Sequence, residues 1–310
     1  MRTFDSIEAG QDSAERSEIS PKSSSWLTGL KVCVSILLLA RGWLTWHWDS
    51  PLRSLVWQED WWTPLIEKYT ESTWADFAYQ SDPYITGSLT GIGIGLMLLS
   101  IIPWIAGRRC CQWVNWLLIV ASAILLLDGF ARFVNREFEL GMAIEHSLQI
   151  GAPVLLFLAL RFPERKKPWI MASLILAALT FVGHGLYAMG FHAIPLSFQL
   201  MTKAILPIGD GAVIVFLKVA GWLDILCAVG IFVRAIRIPS LVYMIVWGGL
   251  TALARAVAYF DVGSEGLGLD PWLVETLVRT PHWLIPALVL ALIVPEECCR
   301  RKQDKEATPS

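Results

Sequence analysis

The sequence predicts an all-α polytopic membrane bundle of eight transmembrane helices, arranged as a 4+4 parallel internal repeat. Three observations lead there. Hydrophobic residues make up 55% of the 310 residues and charged residues only 17%, against roughly a quarter charged in soluble domains. The apolar residues gather in runs of about 20, enough at 1.5 Å per residue to carry a helix across a ~30 Å hydrocarbon core. Motifs of the first half recur in the same order in the second. The short alternating segments of a β-barrel are absent. A net charge of −2 offers no basic face to nucleic acid.

The spans are expected at 27–47, 84–105, 113–133, 140–161, 169–190, 211–233, 239–260 and 271–295. Breakers such as Gly107, Pro163, Pro168 and Pro239 separate them. Residues 1–26 are rich in Ser, Glu and Asp and precede the first apolar run, so they read as a disordered tail. That run is too long for the h-region of a signal peptide and reads as a retained span. Asp270-Pro271 supplies a start signal for span 8, an N-cap acid with proline at the first helical position.

Lys and Arg concentrate on alternate sides. With the N-terminal tail inside, only Arg53, Lys68, Arg136, Lys203 and Arg279 fall in outside segments, while most of the others fall in inside ones. The positive-inside rule then puts both termini in the cytoplasm. The chain divides into a cytoplasmic tail (1–26), a four-helix unit (27–161) with an outer loop at 48–83, a basic linker (162–168), a second unit (169–295) and a basic cytoplasmic tail (296–310). The outer loop holds Trp57, Trp61, Trp62 and Trp74 among many acids. It reads as an interfacial aromatic belt, with a lid across the bundle as the alternative.

The repeat is carried by H-G-L-Y-A-M-G-F-H-A-I-P at 184–195 and R-G-W-L-T-W-H-W-D-S-P at 41–51. Helix 2 is glycine-rich at Gly87, Gly91, Gly93 and Gly95, and helix 6 has Gly221 in a comparable place. Helix 3 carries Arg132 and helix 7 Arg255; helix 4 opens with Glu145 and Gln149, helix 8 with Glu275 and Arg279. Four spans per unit is an even number, so the two units insert in the same orientation about an axis along the membrane normal.

A four-helix unit with Arg or His before Gly late in its first helix resembles the DoxX-like membrane proteins. The runs F-V-G-H-G-L-Y-A-M-G-F-H, W-G-G-L-T-A-L-A-R and R-T-P-H-W-L-I-P resemble uncharacterised bacterial members of that superfamily, best over 170–290. The resemblance implies a bacterial inner membrane and a link to quinone and sulfur redox chemistry; it leaves the cofactor open, with a quinone as one candidate.

All five histidines and most intramembrane charges fall in the outer half of the spans under this topology. Charged groups in lipid cost a few kcal/mol or more each, so they turn toward one another or toward a wet cavity. An outward-facing pocket is therefore expected from Arg41, His47, His184, His192, Lys218, Asp224, Arg255, Glu275, Arg279 and His282, with Glu145, His146 and Gln149 close by. Asp128 and Arg132, four apart on one helix, read as a structural ion pair. Lys218 and Asp224 lie about 240° apart around helix 6. One neighbour cannot satisfy both unless the helix breaks near Gly221.

No Glu-x-x-His pair for a di-iron bundle, no H-E-x-x-H, no G-x-S-x-G and no Walker A motif occurs, and no metal site is expected. The pairs Cys110-Cys111 and Cys298-Cys299 read as reduced cytoplasmic thiols, with a soft-metal site or S-acylation as the alternative. Cys33 and Cys227 read as apolar helix residues. Three functions fit: a DoxX-like protein binding a quinone, a small anion or a lipid head group; a small-anion transporter; and a structural or assembly subunit.

Overall fold

The computed structural model describes residues 22–107, 112–260 and 269–306. Among them every regular element is an α-helix, and eight helices are long and apolar enough to cross a membrane. They mark an integral, multi-pass membrane protein in contact with lipid. The N-terminal tail before residue 22, the Cys110-Cys111 pair and Asp261 lie outside the described residues, as do the side chains of Cys298 and Cys299.

Span 1 is α1 (Lys22–His47). It buries Leu30, Val34, Leu37, Leu38, Arg41 and Thr45, the i, i+3, i+4 stripe of a helix with one inward face. The segment expected as a loop over 48–83 is instead largely helical. It forms α2 (Leu52–Val56), α3 (Glu59–Tyr69) and the beginning of α4 (Trp74–Leu99). Helix α4 starts ten residues before the expected span because Thr73 caps it. The Thr73 hydroxyl accepts from the Asp76 N–H, as an N-cap side chain does, and donates to the Asp76 carboxylate at 2.7 Å. A short α5 (Ile102–Ile105) completes span 2. Helices α2 and α3 pack on α4 and α6.

Span 3 is α6 (Gln112–Asn135), and span 4 is split into α7 (Leu140–Glu145) and α8 (Ser147–Arg161). The split falls at His146, whose φ of −91° and ψ of 4° leave the helical region. The Leu148 N–H released there donates to the Thr180 hydroxyl on the neighbouring span at 3.0 Å. Span 5 is α9 (Lys166–Ala188). Gly190, at φ +88°, closes it. The Phe191 N–H reaches back to the Leu186 carbonyl and the Gly190 N–H to that of Tyr187, the paired bonds of a Schellman cap. A short α10 (Leu196–Ile205) follows, then α11 (Asp210–Gly230) and α12 (Arg237–Ala258).

Span 8 is also split, into α13 (Leu269–Val278) and α14 (Thr280–Glu306). Pro281 has no N–H to give the Leu277 carbonyl, which accepts the Thr280 hydroxyl at 2.7 Å instead. Asp270, expected as the N-cap of span 8, accepts the indole N–H groups of Trp43 and Trp48 at 3.0 and 3.1 Å and ties α13 to α1.

Helices α1, α8, α9 and α14 form the centre of the bundle. Helix α1 packs along α4 on one side and α13–α14 on the other, and α9 packs along α11 and along α7–α8. Two crossings bring backbones together. A Cβ on Gly93 would lie 2.8 Å from the Gly42 carbonyl oxygen, and a Cβ on Gly185 would lie 2.9 Å from that of Gly221. Only glycine permits such an approach. The short helices α2 and α10 lie against α6 and α12 at the same end of the bundle.

Candidate functional site

Most of the buried titratable groups lie toward the end of the bundle that carries α2 and α10, on six spans. Its first group surrounds Asp128. That carboxylate receives Arg132 Nε at 3.0 Å and lies 3.6 Å from Arg41 Nη1. Ser50 Oγ donates to its other oxygen at 3.4 Å. Arg41 Nη2 donates to Gln149 Oε1 at 2.9 Å. Asp128 thus joins two arginines, one on its own helix and one on α1.

The second group centres on His184. Its Nδ1 is 3.6 Å from Glu145 Oε2, and its ring lies 5.4 Å from that of His282. Glu145 also has His146 Nδ1 at 3.6 Å. Gly183 makes this possible, because a Cβ there would stand 2.7 Å from the Glu145 Cα. Arg279 pairs with Glu275 one turn away on the same span, while its Nε is buried with no hydrogen-bond partner. Arg255 is 8% exposed and donates to the Thr251 carbonyl of its own helix at 2.8 Å. No carboxylate lies within ion-pair distance of it among the described residues.

Two cavities meet at these residues. One, of about 360 Å³, runs between α9, α10, α11, α12 and α14. Its walls are mainly apolar, with Phe181, Phe198, Phe216 and Trp247, and its polar members include His184, Asp224, Arg255, Arg279 and His282. The other, of about 250 Å³, is polar and carries Arg132, Arg136, Arg255 and Arg279 against Glu145 and Glu275. His184, Phe198, Met201, Arg255 and Arg279 line both.

The structure therefore brings together five of the expected residues around the apolar cavity, His184, Asp224, Arg255, Arg279 and His282, with Glu275 around the polar one. The remaining four lie elsewhere. Arg41 is buried in the Asp128 group and lines neither cavity. His47 is exposed and packs tilted against Trp43 and edge-on to Trp46, with ring centroids 4.3 and 4.7 Å away. His192 accepts the Gly141 N–H at 3.2 Å beside Tyr187, behind the cavity wall. Lys218 is exposed on the outer face of α11. That helix runs unbroken through Gly221, so turning Asp224 inward turns Lys218 outward. Asp224 accepts the Tyr243 hydroxyl at 2.9 Å. Asp128 and Arg132 do pair, and they share the acid with Arg41. Cys33 is buried in the core, and Cys227 is half-buried. No cluster of metal-ligating side chains occurs among the described residues.

The residues the sequence did not single out are the roof of the site. Phe198 and Met201 come from α10, and Tyr259 and Trp272, stacked at 3.8 Å, close the polar cavity. Residues of 48–83 line neither cavity, so that segment is not a lid on them. Fold and site together define an integral membrane protein with a charged cluster buried among its spans. No protein-family model, no curated protein and no solved structure matches this chain.

Proposed function

We propose that the protein binds an amphipathic small molecule drawn from the bilayer, with its head among His184, Arg255 and Arg279 and its tail in the apolar cavity. A quinone, with carbonyl heads, and a lipid with a polar head both have this form. The observation that carries the reading is the junction of an apolar and a polar cavity at shared basic residues. Sites for small molecules combine apolar walls with a few convergent polar groups in this way. Protein purified in mild detergent is expected to release a co-purified amphiphile on solvent extraction. Ala254→Phe fills the apolar cavity, and extracts of that variant are expected to fall to background while the bundle still folds. Unchanged extracts from the variant, or none from the native chain, would overturn the reading.

The site is proposed to face outward, with both termini cytoplasmic, on the strength of the Lys and Arg distribution. Reporter fusions at residue 65 and at the C-terminus are expected to respond oppositely, and matching responses would reverse that topology. A carrier is not favoured, because Asp224, just past the middle of α11, is the one buried charged side chain among the described residues that lies away from the α2 and α10 end.

The chain is further proposed to be a duplicated four-helix unit of DoxX-like type. The α1–α4 and α9–α11 glycine crossings, the splits in spans 4 and 8, and the short helices α2 and α10 against α6 and α12 all support it. Superposing 27–161 on 169–295 is expected to lay Arg41 over His184.

A further inference from the structure

We infer that the occupant's head carries a negative charge, a carboxylate or a phosphate, and that Arg255 is the residue that selects it. The inference rests on the amphiphile reading above and narrows it to one chemical class. Arg255 is 8% exposed and lines both cavities. Its bond among the described residues is to a backbone carbonyl, and no described carboxylate comes within 4.0 Å of the guanidinium to pair with it directly. Arg136 is exposed at the rim of the polar cavity, and the other arginines differ. Arg41 and Arg132 share Asp128, and Arg279 has Glu275. Around the polar cavity four guanidiniums face two carboxylates. Removed from water, a charge is expensive unless a counter-charge meets it. A neutral carbonyl would accept a hydrogen bond from Arg255 but leave that charge in place. An anion supplies both, in the forked geometry a guanidinium presents to carboxylate and phosphate. The buried Nε of Arg279, without a partner, gives a second donor at the same junction.

The tail side narrows the class further. The apolar cavity, about 360 Å³, lies near the small end of the ~300–1,000 Å³ range of ligand sites, and this favours one chain over two. Its wall includes Ile205, Leu250, Leu253 and Val257, each more than 40% exposed on the flank of the bundle. A single-chain amphiphile can thus reach it sideways, tail first.

The test uses the full chain, stripped of co-purified molecules, and four probes of equal length: palmitate, hexadecyl phosphate, hexadecanol and hexadecylammonium. Kd is measured by the ligand-dependent shift in melting temperature. One or both anions are expected to bind about tenfold or more tighter than the alcohol, and the ammonium weakest. Which anion leads tells a carboxylate head from a phosphate head. In Arg255→Gln the preference for anion over alcohol is expected to collapse toward one, and in Arg255→Lys to survive in part. If alcohol and anions bind the native protein alike, the charge inference is wrong and the pocket reading stands. If no probe binds, the pocket reading falls with it. The comparison on the native chain needs no variant to fold.

Discussion

Asp128→Asn is expected to lower stability by about 3–5 kcal/mol, the loss seen when one member of a buried ion pair is removed. Asparagine keeps the shape and one acceptor, so the change isolates the charge. Two arginines then lose their counter-charge at once, because Arg41 and Arg132 share this acid. Arg41 suffers more, being 4% exposed at its side chain against 26% for Arg132. Unfolding in mixed micelles by denaturant measures it. The variant Arg41→Met with Asp128→Leu and Arg132→Met, which removes the whole triad, is the informative companion. Replacing buried ionic groups by packed apolar ones is often close to neutral, so the triple variant should recover much of what the single one loses. A loss below about 1 kcal/mol for Asp128→Asn would mean that water reaches this group and screens it.

Gly221→Val is expected to cost about 3 kcal/mol, the top of the usual range for overpacking. A Cβ there would overlap the Met189 backbone nitrogen and stand 2.8 Å from the Gly185 carbonyl oxygen. Backbone cannot swing aside as a long side chain can, so α9 and α11 must separate. Gly93→Val is expected to do the same to α1 and α4, where a Cβ meets the Gly42 oxygen and the Trp46 nitrogen, each at 2.8 Å. Gly87 is the control on the same helix as Gly93. Nothing lies within 4 Å of a Cβ there, and Gly87→Ala should leave stability unchanged or raise it by up to about 1 kcal/mol through helix propensity. Equal melting temperatures for the Gly87, Gly93 and Gly221 variants would show that the crossings are not in backbone contact.

The eight spans were legible because hydropathy is a property of each run alone. Span 2 starts earlier than its apolar run, because a capped helix continues through the polar Asp76, Gln80 and Asp82 where hydropathy gives no sign of it. The split at Arg279 had a visible sign in Pro281. That at His146 had none, since it depends on Thr180, a residue of another span, to receive the freed N–H. Depth along the spans brought out the charged residues, but depth does not say which way a side chain turns. Lys218 and Asp224 show the difference, with one outside and one inside the same straight helix. The α10 wall of the cavities was beyond sequence reasoning, because Phe198 and Met201 sit between expected spans.

The glycine crossings also bear on how a ligand of the proposed kind would reach the apolar cavity. Helices held backbone to backbone have no intervening side chains to rotate, so the joint at Gly185 and Gly221 is closed to a visitor unless whole spans part. Side chains can swing far more cheaply than spans can separate. The doorway to the apolar chamber is therefore the strip of Ile205, Leu250, Leu253 and Val257 along α10 and α12. Under the proposed function, the ligand would come sideways out of the lipid, past side chains rather than through the backbone contact of Gly185 and Gly221.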